Sequence, residues 1–249
     1  MKQKHIFIYI INCYLLLLST LIFSQNDSIL GSANDSLSIK QKYGIRLGGD
    51  LSKLARTFID DDYTGFEILA DYRLSNKLYV AGEIGFDEKN TITKHLNITS
   101  TGSYIKAGVD YNLYQNWLDM DNMIFSGFRI GTSAYSQNLN EYTIYTNNTF
   151  WEPQFTFGEL QEFKGLTAFW FELMLGAKAE LFNNLYLGLN VQLKIIIDDK
   201  DIDNFESVYI PGFNKTFDDS RIGVGYGYAL SYRIPLYKKD KKVKEKIEK

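Results

Sequence analysis

Between Arg221 and Tyr237 the chain reads RIGVGYGYALSYRIPLY, and no other stretch restricts the possible folds so strongly. Taken at period two, it separates into Ile222, Val224, Tyr226, Tyr228, Leu230, Tyr232, Ile234 and Leu236 on one face and Gly223, Gly225, Gly227, Ala229, Ser231 and Arg233 on the other. Successive side chains of a β-strand point to opposite faces, so one face is apolar or aromatic and the other small or polar. A water-soluble barrel packs its bulky apolar groups inside. Here small residues share a face with an arginine, as in the narrow polar lumen of a membrane barrel.

The start of the chain is of another kind. Lys2, Lys4 and His5 precede an apolar run from Ile6 to Phe23, and Ser24 stands before Gln25, Asn26 and Asp27. This is the pattern of a secretory signal peptide, expected over residues 1–25. The run would just suffice as a transmembrane anchor. The residues after it are polar and include no stop-transfer flank, which favours the cleaved signal. Cys13 lies within the run, so the exported chain would hold no cysteine. No later stretch is long and apolar enough for a membrane helix, so any membrane crossing must use strands. Asn26 to Lys42, rich in Ser, Asn and Asp, reads as a flexible periplasmic leader.

Alternation at period two recurs in Tyr43–Lys53, Tyr63–Leu74, Leu78–Asp87, Ser103–Tyr114, Met123–Ser136, Thr167–Leu181, Leu185–Ile197 and Arg221–Tyr237. Ala55–Asp62 reads as a loop, and so do the polar intervals Glu88–Gly102, Gln137–Gly165 and Asp198–Ser220. Ser75-Asn76-Lys77 and Asn183-Asn184 read as tight turns. Connections therefore alternate long and short, the asymmetry of an outer-membrane barrel with long outer loops. The expected fold is all-β, an antiparallel up-and-down transmembrane barrel over residues 43–237. Eight strands are expected; ten would result if Asn140–Thr146 and Gln154–Phe157 formed a further hairpin, although they read better as strand tops protruding from the membrane. Residues 238–249 (KKDKKVKEKIEK) form a basic periplasmic tail.

The polar faces gather Arg46, Arg73, Lys106, Arg129, Lys178, Lys194 and Arg233 against Asp50, Glu67, Asp71, Glu83, Asp87, Asp110, Glu172 and Glu180. An eight-stranded barrel is only wide enough for its own side chains, so these groups are expected to pair and fill the lumen. Gly223, Gly225 and Gly227 would leave them room. A two-sheet sandwich with a solvated charged face is the competing fold. It leaves the loop asymmetry and the apolar start without a reason.

In this pattern the chain resembles the small outer-membrane barrels of the OmpA and OmpX type, and exported barrel families described only as domains of unknown function. The resemblance implies a monomer among outer-membrane lipid and lipopolysaccharide, inserted by an assembly machinery that reads an aromatic-ended last strand. Tyr237 occupies that place, although the tail comes after it. Fold implies little about activity.

Few residues offer chemistry. His95, with Thr99, Ser100 and Ser103 nearby, is the one histidine after the apolar start and the candidate for a lipid-modifying enzyme. A single loop histidine is more commonly plain surface. Asp199, Asp201 and Asp203 match the first ligands of a calcium loop, but Asn204 and Ile210 stand where Gly and Glu are needed. With Asp60, Asp61, Asp62, Asp218 and Asp219 they read as solvated carboxylates. No metal and no cofactor is expected. A net charge of −3 and a pI near 5.5 speak against nucleic-acid binding. The expected role is a non-enzymatic structural or interaction barrel acting through its outer loops, where a protein partner could bind. The alternatives are an assembly or secretion accessory acting through the tail, the enzyme using His95, and a small pore.

Overall fold

The computed structural model describes residues 40–115, 121–143, 156–157, 161–200, 207–215 and 221–240. The expected signal peptide, almost all of the leader, and the tail beyond Asp240 lie outside the described residues. The elements are β1 (Lys40–Asp50), α1 (Leu51–Ile59), β2 (Tyr63–Arg73), β3 (Leu78–Ile92), β4 (Leu96–Gln115), β5 (Met123–Thr143), β6 (Thr156–Phe157), β7 (Gln161–Phe182), β8 (Leu185–Asp199), β9 (Tyr209–Ile210), β10 (Asn214–Lys215) and β11 (Ile222–Asp240).

Eight of these strands close a ring in the order β1-β2-β3-β4-β5-β7-β8-β11, each antiparallel to its neighbours. The ring closes by pairing β1 with β11, from Lys40 opposite Asp240 to Asp50 opposite Ala229. The fold is thus an up-and-down antiparallel barrel with no free sheet edge over most of its height.

Burial alternates along every long strand. The outward side chains include Ile45, Phe66, Ile84, Ile105, Phe171, Leu193 and Ile234, which are left exposed in a continuous apolar belt. The inward ones are charged or small. A surface of this kind requires hydrocarbon rather than water around it, which is the transmembrane form of the fold. Higher up, the outward face turns polar: Asn140 Nδ2 donates to Thr99 Oγ1 at 2.9 Å and to Asn97 Oδ1 at 3.2 Å.

Each of the four intervals read as loops holds regular structure. The first strand stops at Asp50, and Leu51–Ile59, expected as strand end and loop, is a helix. Its start is fixed by the Asp50 carboxylate, which accepts from the Ser52 backbone N–H at 2.6 Å, and Leu51, Leu54, Ala55 and Phe58 recur at helical spacing. The interval Glu88–Gly102 is no loop: β3 and β4 pair as far as Ile92 opposite Asn97, leaving only Thr93, Lys94 and His95 to turn. In the interval Asp198–Ser220, residues 209–215 form a small hairpin, β9 with β10. In the interval Gln137–Gly165, β5 continues to Thr143 and takes the short β6 as a partner at Tyr142 and Thr143, so its top is strand.

Candidate functional site

The lumen carries its charges in three tiers. At the end where the short turns lie, Arg73 and Arg233 both reach the Asp121 carboxylate, Arg73 at 3.5 Å. Glu180 accepts there from the backbone N–H groups of Asn184 at 2.9 Å and Asp121 at 3.2 Å, with Lys42 at 4.0 Å.

The middle tier is one continuous chain of pairs. Arg46 lies 2.7 Å from Asp71, Asp71 lies 2.9 Å from Lys178, and Lys178 lies 3.1 Å from Asp110. Asp110 is 2.7 Å from Arg129, which is 3.1 Å from Glu83. Lys106 then gathers Glu83 at 2.5 Å, Glu67 at 3.2 Å and Glu172 at 3.9 Å, and Lys194 stands 4.0 Å from Glu172. Five cations face five carboxylates, so the tier is neutral as a whole. A buried charge is tolerable only when such pairing offsets its lost hydration.

The upper tier joins the barrel to its mouth. Asp87, fully buried, accepts from Lys53 Nζ at 2.8 Å, the Tyr63 hydroxyl at 2.7 Å, the Tyr209 hydroxyl at 3.3 Å and the Gly212 backbone N–H at 2.9 Å. Lys53 comes from α1, and Tyr209 and Gly212 from the hairpin of β9 and β10. One carboxylate thus pins a helix and a loop to the wall. Pro211-Gly212 makes the hairpin turn, with Gly212 at φ +80° and the Phe213 N–H donating to the Ile210 carbonyl at 3.1 Å. A Cβ on Gly212 would run into the Tyr104 ring, so the position is restricted in space as well as in φ. Ile210 and Phe213 drop into a cluster with Tyr104, Tyr135, Leu166, Trp170 and Ile196, Phe213 standing edge-on to Trp170 with ring centres 6.1 Å apart. Over the ion pairs, therefore, sits an apolar lid.

Every residue expected in the lumen has its place in these tiers except Asp50, whose carboxylate is spent on capping α1. Lys42, Lys53, Asp121, Tyr209 and Gly212 are participants that the strand pattern does not show. Only the Pro-Gly turn between apolar neighbours carries a sequence signal for the lid.

The Lys53 ammonium titrates above the ordinary lysine range: burial alone would lower it, and the Asp87 and Glu67 carboxylates outweigh burial. Burial, followed by Asp87, pushes the Tyr209 hydroxyl far upward as well. Both groups have raised folded pKa values, so their contribution is complete below the unfolded values and lost as pH rises through the folded ones. The mouth should hold its structure from neutral pH to about pH 10 and loosen only above it. Near-ultraviolet circular dichroism of the refolded barrel across pH 6 to 12 checks this, and loosening already near pH 8 would contradict it.

His95 is exposed in the turn between β3 and β4, whereas Ser100 is buried with its hydroxyl donating to Gln137 at 3.3 Å. Asp60 is tied to Lys89 at 3.0 Å and Arg56 at 3.2 Å. Among the described residues no group of His, Cys, Asp and Glu could hold a metal ion. Asp201, Asp203, Asp218 and Asp219 lie outside the described residues.

A comparison with solved structures finds similarity to Ail, the attachment invasion locus protein of Yersinia pestis, at 9% identity and a TM-score of 0.41, covering 79% of this chain and 100% of that one. A likeness so distant adds nothing to what the strand pairing already shows. No curated protein matches the sequence. Residues 6–239 match the family described as Domain of unknown function (DUF6048). That match runs from the apolar start almost to the end of β11, and the chain belongs to the DUF6048 family.

Proposed function

We propose that the protein is a non-conducting outer-membrane barrel with a structural or interaction role, not an enzyme. The observation that carries this reading is the lumen, where five cations and five carboxylates pair along the axis under an apolar lid. Such a filling crowds the axis with paired side chains and opposes ion passage along it. Export would place the short turns in the periplasm and α1, the tip of the β3–β4 hairpin and the lid outside.

The interaction surface in this reading is the tall side of the barrel. β4, β5 and β7 have 20, 21 and 22 residues, about twice the 9–11 that a tilted strand needs to cross the hydrocarbon. Their upper parts would stand clear of the bilayer, with the polar outward face of Asn97, Thr99 and Asn140 available to lipopolysaccharide sugars or to a protein at the cell surface. Planar-bilayer recording of the refolded protein is the direct test. No steady single-channel conductance is expected, and stable openings in the wild-type protein would overturn the reading in favour of a pore.

A further inference from the structure

The barrel wall is incomplete on one side. β1 pairs with β2 only as far as Gly49 opposite Ile68, and with β11 only as far as Asp50 opposite Ala229. Above that level β2 continues from Glu67 up to Tyr63 on β3 alone, and β11 continues from Tyr228 up to Ile222 on β8 alone. The chain has left the sheet as α1, which lies across the gap between β2 and β11. On the β2 side the helix closes the gap with hydrogen bonds, since Thr57 Oγ1 accepts from the Gly65 N–H at 2.9 Å and donates to the Gly65 carbonyl at 3.2 Å. On the β11 side there is a cavity of about 100 Å³.

Two properties of this cavity single it out. It is bordered both by lumen groups and by Val224 and Tyr226, whose side chains are 71% and 72% exposed on the outer face, so it opens sideways through the wall. Its charged lining is Lys53, Arg56, Lys106 and Lys194 with Asp50 and Glu67, and behind this lining Lys53 is held by Asp87, Arg56 by Asp60 and Lys106 by Glu83. Lys194 is the least compensated of them, with its Nζ 2.7 Å from the Gly212 carbonyl and, among the described residues, no carboxylate nearer than Glu172 at 4.0 Å. Just outside, Tyr226 is shared with an apolar groove of about 250 Å³ that runs between Leu175, Leu189, Val191 and Tyr228. α1 also leaves Phe58 and Ile59 uncovered, 86% and 83% exposed.

We propose that this seam binds one anionic lipid of the surrounding membrane, its phosphate headgroup entering the cavity between α1 and β11 and an acyl chain lying in the outer groove. A cavity of 100 Å³ takes a phosphoester readily, since one water needs only about 10–15 Å³ of such space. The cations supply charge-assisted hydrogen bonds in a site screened from bulk water. The groove supplies apolar cover for a chain. The lipid would complete the wall where β1 is missing. This inference rests on the proposed outer-membrane location of the barrel.

The test uses full-length exported protein refolded into phosphatidylcholine vesicles containing a minor fraction of phosphatidylglycerol, extracted in mild detergent and weighed by native mass spectrometry. The wild-type barrel should retain one phosphatidylglycerol in preference to phosphatidylcholine, and inorganic phosphate should not displace it. Arg56→Gln should weaken retention about tenfold, the loss of one charge-assisted hydrogen bond. Gly225→Leu, whose Cβ would point at the flexible ends of Gln192 and Lys194, should fill the cavity with the same result. Should Gly225→Leu fail to reach the folded, heat-modifiable form, Arg56→Gln decides alone. Equal retention of the two lipids, wild-type retention in the folded variants, or displacement by inorganic phosphate would overturn the proposal. Protein that never inserts into vesicles would overturn the membrane reading and this inference with it; insertion without selective retention overturns this inference alone.

Discussion

Lys106→Met should abolish refolding to the heat-modifiable barrel form. Its ammonium is 2% exposed and within 4 Å of Glu67, Glu83 and Glu172, all of them buried. Removing the cation leaves three carboxylates in each other's field, Glu83 keeping Arg129 at 3.1 Å, Glu67 the Tyr104 hydroxyl at 2.6 Å and Glu172 the Lys194 ammonium at 4.0 Å. Breaking a buried pair costs about 3–5 kcal/mol, and here three carboxylates lose a shared cation at once, against a total stability of about 5–15 kcal/mol. A volume-matched apolar side chain excludes loss of packing as the cause. Adding Glu83→Gln to the variant should recover part of the refolding yield, because one of the repelling charges is gone. Urea midpoints in detergent for wild type, single and double variants measure the effect. Wild-type stability in Lys106→Met would show that the lumen is hydrated enough to screen its charges, which would also reopen the question of conductance.

Asp87→Ala should leave the barrel folded and free its mouth. Four donors from three different elements converge on this one carboxylate, and alanine leaves Lys53 as an unpaired cation under the lid. The loss is again about 3–5 kcal/mol, but it falls on α1 and the β9–β10 hairpin rather than on the strand ladder. Trp170 should report it through a change in fluorescence as Phe213 leaves its ring. Protease should cut between Ser207 and Lys215 in the variant and not in the wild type. A silent Asp87→Ala would mean that the apolar cluster alone holds the lid.

What the sequence makes legible rests on one physical fact: a strand between lipid and a packed lumen must alternate. Arg46, Asp71, Lys106, Arg129 and Lys194 all sit at alternate positions opposite exposed apolar neighbours, and period two suffices to put them inside. The turn at Asn183-Asn184 is equally local, with Asn184 at φ 69°. The helix is hidden because Leu51-Ser52-Lys53 fits a period of two as well as one of 3.6 over so short a span. Asp50 as an N-cap with apolar residues at Leu51, Leu54, Ala55 and Phe58 is the signal that separates the two. The upper halves of β3 and β4 are hidden for another reason: their outward face turns polar while the inward one stays buried, as at Ile98 and Ser100, so the apolar-out, polar-in alternation of the transmembrane part is lost at Asn90 and Thr99. Asp121 and the lid depend on partners far away in the chain, which no local pattern encodes.

The closure of β1 on β11 has a kinetic side. Every other joint in the ring is made by strands that succeed one another around it, so each can zip as a hairpin soon after it is made. The last joint brings Lys40 to Asp240 across roughly 200 residues, and the cost of non-local pairing is concentrated there. Until β11 arrives, β1 waits with one bare edge, a template for pairing with the wrong chain. Side chains at Gly44 and Gly48 would overlap the backbone carbonyls of Ile234 and Leu230, so the two strands meet with almost nothing between them. The same bareness that lets the ring shut leaves its opening strand the most exposed to misassembly while it is still open.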